Sequence, residues 1–263
     1  MILLVIFVIK MLTLQPNITH QFNAEIWRIE IDETTANLLL EIRNQTEKQV
    51  SFASINLDTG ILNFEGYTLP ERWLAGIETT YKGVLLLHNY QSAAAPVHKA
   101  VIAIDENSGE MLWSNYTMAF DHLSVNGPVV YNTQFQPKKY FVVDVRTGAM
   151  LKPYENVIDT EYIQPITTPE MVSVEMIANL GLPVEPYGQI VHYVEYNSYR
   201  IVSLHTFNEG LLKQHLYIIN PTGGVYEYLL NTDIQKLQPE AFVLHKNRLI
   251  CLKNKTEIMV FEL

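Results

Sequence analysis

Residues 103–113 read AIDENSGEMLW. The apolar run Val101-Ile102-Ala103-Ile104 leads into Asp105, the chain turns through Glu106-Asn107-Ser108-Gly109, and a second run, Met111-Leu112-Trp113, leaves it. Two short apolar runs around a turn ending in glycine signal a β-hairpin, because glycine takes the positive φ of such turns without a Cβ clash. The same pattern recurs. Ile55-Asn56-Leu57-Asp58-Thr59-Gly60-Ile61-Leu62 is one copy, and Val143-Asp144-Val145-Arg146-Thr147-Gly148-Ala149-Met150 is another. Ile218-Ile219-Asn220-Pro221-Thr222-Gly223-Gly224-Val225-Tyr226 is a looser one. A repeated hairpin marks a repeat architecture and says nothing yet about chemistry.

These turns resemble the repeat of quinoprotein-type (PQQ-like) β-propellers: an apolar strand, Asp, a Thr-Gly or Ser-Gly turn, and a Leu-Trp pair. The resemblance covers four turns and most of the chain between residues 26 and 263, and points to an uncharacterised bacterial member of that superfamily. It implies an all-β propeller. It implies no quinone, since the adjacent cysteines of the quinone-dependent dehydrogenases have no counterpart here, and no cofactor or metal is expected.

Outward from the turns, the chain falls into groups of four short runs separated by turn residues, the pattern of a four-stranded blade. The first group is 26–32, 37–43, 50–57 and 61–66; the second is 73–79, 84–90, 99–105 and 110–116; the third is 122–126, 128–133, 139–145 and 149–154. The step from Gly148 to Gly223 is too long for one blade of ~40–50 residues. It holds Thr168-Pro169 and, past Leu180, Gly181, a helix start and stop, so a helical insertion over about 168–181 is expected. A degenerate sixth blade within 155–188 is the alternative. The fourth group follows at 189–195, 200–206, 214–220 and 225–230. The fifth has only three runs, 241–245, 248–253 and 257–263, and the segment 12–19 is expected to complete it by pairing with 256–263. The expectation is thus a five-bladed propeller closed by N- and C-terminal strands, a single domain over 12–263 behind an apolar segment, 1–11.

Composition narrows the function classes. A formal net charge of -10 disfavours nucleic acid as the main partner, and 48% hydrophobic residues suffice for a packed core. The single cysteine, Cys251, sits in the apolar run Leu249-Ile250-Cys251-Leu252 and reads as a small buried hydrophobe. Residues 1–9, MILLVIFVI, are too few to span a bilayer. They lack the basic start and small-residue cleavage site of a secretory signal, so a cytoplasmic location is favoured, with export to the periplasm if they act in a signal after all; a monomer is expected.

No G-x-S-x-G, H-E-x-x-H, Walker loop or G-x-G-x-x-G is present. The candidate site is therefore positional. Aligning the second strands by their apolar triplets places Glu41 after Leu38-Leu39-Leu40, His88 after Leu85-Leu86-Leu87 and His205 after Val202-Ser203-Leu204. The starts of first strands add Glu25, Trp27, Asp121, His122 and His192. The plain structural reading of these residues is solvated strand ends, with Trp27 and Trp73 packed between blades. Asp121 and His122, as strand neighbours, should face opposite ways. The functional reading is a non-catalytic propeller binding a small molecule, carbohydrate or protein on the face carrying the long loops 89–98 and 208–213. Two rivals are a carbohydrate-active hydrolase or lyase using Glu25, Glu30, Glu41 or Asp121, and a scaffold in a cell-envelope assembly.

Overall fold

The structure is a computed structural model that describes residues 14–238 and 242–263. The apolar segment 1–11, and residues 12–13 of the expected pairing strand, lie outside the described residues. Strand β1 (Ile18–Gln21) opens the described chain. Then come β2 (Glu25–Asp32), β3 (Asn37–Asn44), β4 (Gln49–Asn56) and β5 (Leu62–Tyr67), hydrogen-bonded in that order as one antiparallel sheet. The second sheet is β6 (Ala75–Tyr81), β7 (Val84–Ser92), β8 (Ala95–Asp105) and β9 (Met111–Asn115). The third is β10 (Met118–Ser124), β11 (Gly127–Asn132), β12 (Tyr140–Val143) and β13 (Met150–Pro153). These three sheets make up one compact unit, Phe22–Pro165.

The second unit comprises, among the described residues, 14–21 together with those of Ile166–Leu263. Its larger sheet runs β14 (Glu170–Ser173), β15 (Ile190–Tyr196), β16 (Tyr199–Asn208), β17 (Leu211–Ile219) and β18 (Val225–Ile234). Between β14 and β15 lie a single turn of helix, α1 (Val174–Ile177), and a 3-10 turn (Ala178–Leu180). The other sheet is β19 (Phe242–His245), β20 (Arg248–Lys253) and β21 (Glu257–Glu262), with β1 added beside β21. Ile18 faces Val260 and Gln21 faces Glu257 in that pairing. The pairing strand thus begins at Ile18, late in the expected 12–19 stretch.

The repeated turns form for one local reason. In each, a leading Asn or Asp accepts backbone N–H bonds from the residues that follow: Asn56 from Asp58 and Thr59, Asp105 from Asn107 and Ser108, Asp144 from Arg146 and Thr147. The glycine then closes the loop onto the leading carbonyl at 2.8–2.9 Å, with φ of 71° at Gly60, 71° at Gly109 and 69° at Gly148. The side chain of Asx competes for the backbone donors, and glycine supplies the left-handed residue.

Three expectations are corrected. Residues 170–173 form a strand, not the start of a helix. Pro169 would suit a helix start, but Glu170–Ser173 pair with Ile190–Tyr193 across β15, and that ladder overrides the local signal. Only Gly181, at φ 61°, acts as the stop that was read. Residues 155–188 therefore give β14, α1 and a 3-10 turn rather than a sheet of their own. The stretches 89–98 and 208–213, read as long loops, are continuations of the hairpins. β7 and β8 run out to a tip at Ala93-Ala94, and β16 and β17 to Glu209-Gly210, whose φ of 51° and 85° are the positive pair of a primed hairpin turn. The first strand of the third sheet also lies earlier than 122–126, because Gly127 pairs with Ser124 and the turn falls at residues 125–126.

Apolar side chains of successive sheets interlock. Leu39, Phe52, Ile77, Leu85 and Leu87 pack together between the first and second sheets, and Leu86, Val101, Leu123, Val130 and Val143 between the second and third. In the other unit, Ile201, Leu216, Leu230, Leu249 and Phe261 form the corresponding core.

Candidate functional site

In each sheet of the 22–165 unit, the first strand is irregular at one residue. The register jumps between Ile26 and Arg28, between Ile77 and Thr79, and between Phe120 and His122. Trp27, Glu78 and Asp121 are the extra residues. A bulge leaves its residue unpaired and breaks the strict alternation of faces, so it re-aims side chains that a regular strand would hide or expose. Asp121 and His122 show the effect. Regular strand neighbours would point apart, yet His122 Nδ1 lies 2.9 Å from Asp121 Oδ2. That overturns the expectation that they make poor partners.

Trp27 is 62% exposed and is not core packing between sheets. Its indole and that of Trp73 flank the Arg43 guanidinium, whose carbon lies 5.5 Å and 5.2 Å from the two ring centres. Arg43 and Glu41 share a face of β3, two residues apart. Arg43 Nε donates to Glu41 Oε1 at 2.7 Å, and its Nη2 donates to the Ala75 carbonyl at 2.8 Å. Glu41 Oε2 accepts from the Ile77 N–H at 2.9 Å, and Arg28 donates to the carbonyls of Ile77 and Glu78 at 2.7 Å and 3.0 Å. β6 is the edge of its sheet. Side chains of the first sheet thus satisfy backbone groups that an edge strand would leave open. Glu41 is 2% exposed, so the reading of a solvated strand end does not hold for it. Above this floor lies an open recess of about 340 Å³ bordered by Trp27, Trp73, Tyr90 and the Ala93–Pro96 hairpin tip.

Beside the ion pair, β6, β7 and β8 bring together Glu78, His88 and His98. His98 Nδ1 lies 2.9 Å and 3.1 Å from the two Glu78 oxygens. His88 Nδ1 lies 3.4 Å from Glu78 Oε1, an ion-pair distance that makes no hydrogen bond, and neither His88 ring nitrogen has a hydrogen-bond partner. The ring is 1% exposed and stacks on His98 with centroids 3.7 Å apart. Burial holds His88 down to about 3, with His98, Arg28 and Arg43 adding positive charge, so the imidazole is neutral. Burial raises Glu78 in turn, and the bond from His98 opposes that rise. Gly76 is required beneath them. A Cβ there would fall 2.9 Å from His88 Cε1 and 3.0 Å from Glu41 Oε2, so Glu41 and His88 meet over one backbone position.

Glu25 is half-buried and faces Arg43 in the β2–β3 register. His122 packs edge-on against Tyr154, 5.0 Å between rings, in the third sheet. His192 and His205 belong to the other unit. His192 is half-buried opposite Ser203. His205 is buried, its Nε2 accepts the Gln238 N–H at 3.1 Å, and burial followed by His192 and His215 holds it down to about 4. Arg43, Glu78 and His98 were not read from sequence. The Glu-x-Arg spacing of residues 41 and 43 was a usable signal, since such residues share a strand face. Glu78 was not legible, because a bulge has no sequence mark here, and His98 lay in a stretch read as loop.

Residues 31–113 match the model of a family described as a domain of unknown function (DUF4905), a segment containing Glu41, Glu78, His88 and His98 but not Trp27. No curated protein matches the chain in sequence. Among solved structures, a eukaryotic initiation factor is similar at 8% identity and a TM-score of 0.36, over 90% of this chain and 52% of that one. The chain therefore spans about half the length of that factor. An uncharacterised protein of Listeria monocytogenes EGD-e is similar at 11% identity and a TM-score of 0.34, over 96% and 98% of the two chains. The β-propeller domain of the trilobed protease of Pyrococcus furiosus is similar at 11% identity and a TM-score of 0.31, over 90% and 81%.

Proposed function

We propose that the five sheets are the blades of a β-propeller that acts as a binding module, taking a small ring-bearing ligand, a sugar by preference, on Trp27. The observation that carries this reading is the exposed Trp27 indole, held out by a bulge and backed by the stacked Arg43. The indole, the Arg43 guanidinium behind it and the recess beside it together make a preformed stacking surface. Its negative face suits the weakly positive C–H face of a pyranose. The Arg43 donors are already committed to Glu41 and Ala75, so the floor is neutral and favours stacking over anion capture. The recess of about 340 Å³ is at the small end of ligand sites, which favours one or two rings.

Catalysis on a carbohydrate is the weaker reading. Both Glu41 oxygens are occupied, and Glu30 is held by Arg28 at 2.7 Å, so neither is poised as a general acid over the recess. The test is titration of mono- and disaccharides against tryptophan fluorescence. The wild type should show saturable quenching, and Trp27→Ala should lose it while keeping its melting temperature. Equal binding by Trp27→Ala, or no saturable quenching with any sugar, would sink the proposal.

A further inference from the structure

We infer that Glu78, His88 and His98 form a binding site for one divalent transition-metal ion, zinc above all. Two imidazoles and a carboxylate are a ligand set suited to zinc and its neighbours rather than to magnesium or calcium, which take oxygen ligands. One donor atom from each residue lies within 4.8 Å of the others. Bonds of about 2.0–2.2 Å to a tetrahedral ion set donors about 3.3 Å apart; Glu78 Oε1 already stands 2.9 Å from His98 Nδ1 and 3.4 Å from His88 Nδ1, so only the wider separations, up to 4.8 Å, need to close.

The strongest single observation is His88. A ring that is 1% exposed with two unpartnered nitrogens is an exception among buried polar groups, and an ion would take up one of the two. Its Nδ1 already lies 3.4 Å from Glu78 Oε1. Glu78 is aimed into the cluster by the β6 bulge, and that bulge is pinned from outside by Arg28 on the Ile77 and Glu78 carbonyls and by Glu41 on the Ile77 N–H. Such outer contacts are what orient metal ligands. The two arginines do not repel a cation outright, because each is matched by its own carboxylate, Arg28 by Glu30 and Arg43 by Glu41. Glu78 is the anion left over for the ion.

The cluster reaches solvent at His98. His98 is the one ligand with an appreciably open side chain, 33% exposed, and it lines a separate recess of about 490 Å³ with Gln91, Lys99 and Tyr131. The His88 and His98 rings lie parallel, 8° between planes. Parallel rings cannot both direct in-plane lone pairs at one ion, so His98, with room on the recess side, rotates as the ion binds. Three protein ligands leave a fourth position for water or another small ligand. The three ligands are none of the residues that border the Trp27 recess.

The test uses tag-free full-length protein stripped with EDTA and titrated with Co²⁺, followed by visible absorption and by competition with Zn²⁺. One Co²⁺ per chain is expected, with the absorption of low-coordinate cobalt, displaced by Zn²⁺ and untouched by Mg²⁺. Zn²⁺ should raise the melting temperature. His98→Ala, the least buried position, should keep the wild-type circular dichroism and weaken Co²⁺ binding by at least about tenfold. Glu78→Gln should do the same, and if it fails to fold, His98→Ala still decides. No Co²⁺ absorption in the wild type, or His98→Ala binding Co²⁺ as the wild type does, overturns the site.

Discussion

Gly148 lies against the indole of Trp113. A Cβ on Gly148 would fall 2.7 Å from Trp113 Cδ2, and the indole N–H donates to the Val145 carbonyl at 2.8 Å. The joint repeats one sheet earlier, where a Cβ on Gly109 would fall 3.1 Å from Phe64 Cγ. The last strand of one sheet thus lays an aromatic ring on the turn glycine of the next. The glycine serves two ends at once, the positive φ of its turn and the flat seat for a ring.

Gly148→Val should therefore cost more than backbone strain alone. Strain at a left-handed residue is of order 1–3 kcal/mol, and displacement of the indole adds to it. Equilibrium unfolding in urea would measure the loss, and Trp113 emission should shift red. A cost below about 0.5 kcal/mol, ordinary for an inert surface site, would contradict the seat.

Arg43→Leu should destabilise strongly, by about 3–5 kcal/mol, because it strands the buried Glu41 carboxylate and frees the Ala75 carbonyl. Glu41→Gln should cost less, since an amide oxygen still accepts from the Ile77 N–H. Chemical denaturation of the two variants side by side gives the order. The reverse order would mean that the ion pair is not what holds β6.

Glu106 sets a pH dependence. It is fully buried, bonded by Thr35, Asn37 and Thr80, and pushed up to about 9 by burial and then by the Asp32 carboxylate, against 4.5 when unfolded. Between those values the native chain holds a proton that the unfolded chain has released. The contribution is therefore complete below about pH 4.5, falls as pH rises, and is gone above about pH 9. Glu106→Gln, which cannot ionise, should flatten the decline of melting temperature from pH 6 to 9. An unchanged slope would remove Glu106 as its source.

Removing the residues before Phe22 should lower the melting temperature by several degrees. The deletion strips β1 from β21, leaving Glu257–Val260 as a bare edge and uncovering apolar area around Ile18. Differential scanning fluorimetry suffices to see it. Unchanged melting would mean that β1 contributes nothing to the sheet.

The sequence by itself determined the hairpin repeat and the strands around it. Asn56, Asp105 and Asp144 bond their own turns, and Gly60, Gly109 and Gly148 supply the positive φ, so every cause lies within five residues. The apolar triplets also mark Glu41, His88 and His205 as the residues that follow a buried run on a second strand. What only the tertiary structure decided is where the bulges fall. An extra residue in a strand depends on how the partner strand and the neighbouring sheet pack, not on its own identity. That choice turned Trp27 out to solvent, turned Glu78 in toward His88 and set Asp121 beside His122. Residues 170–173 tell the same story in reverse. Their local helix signal lost to the ladder with β15, since four paired residues outweigh a favourable cap.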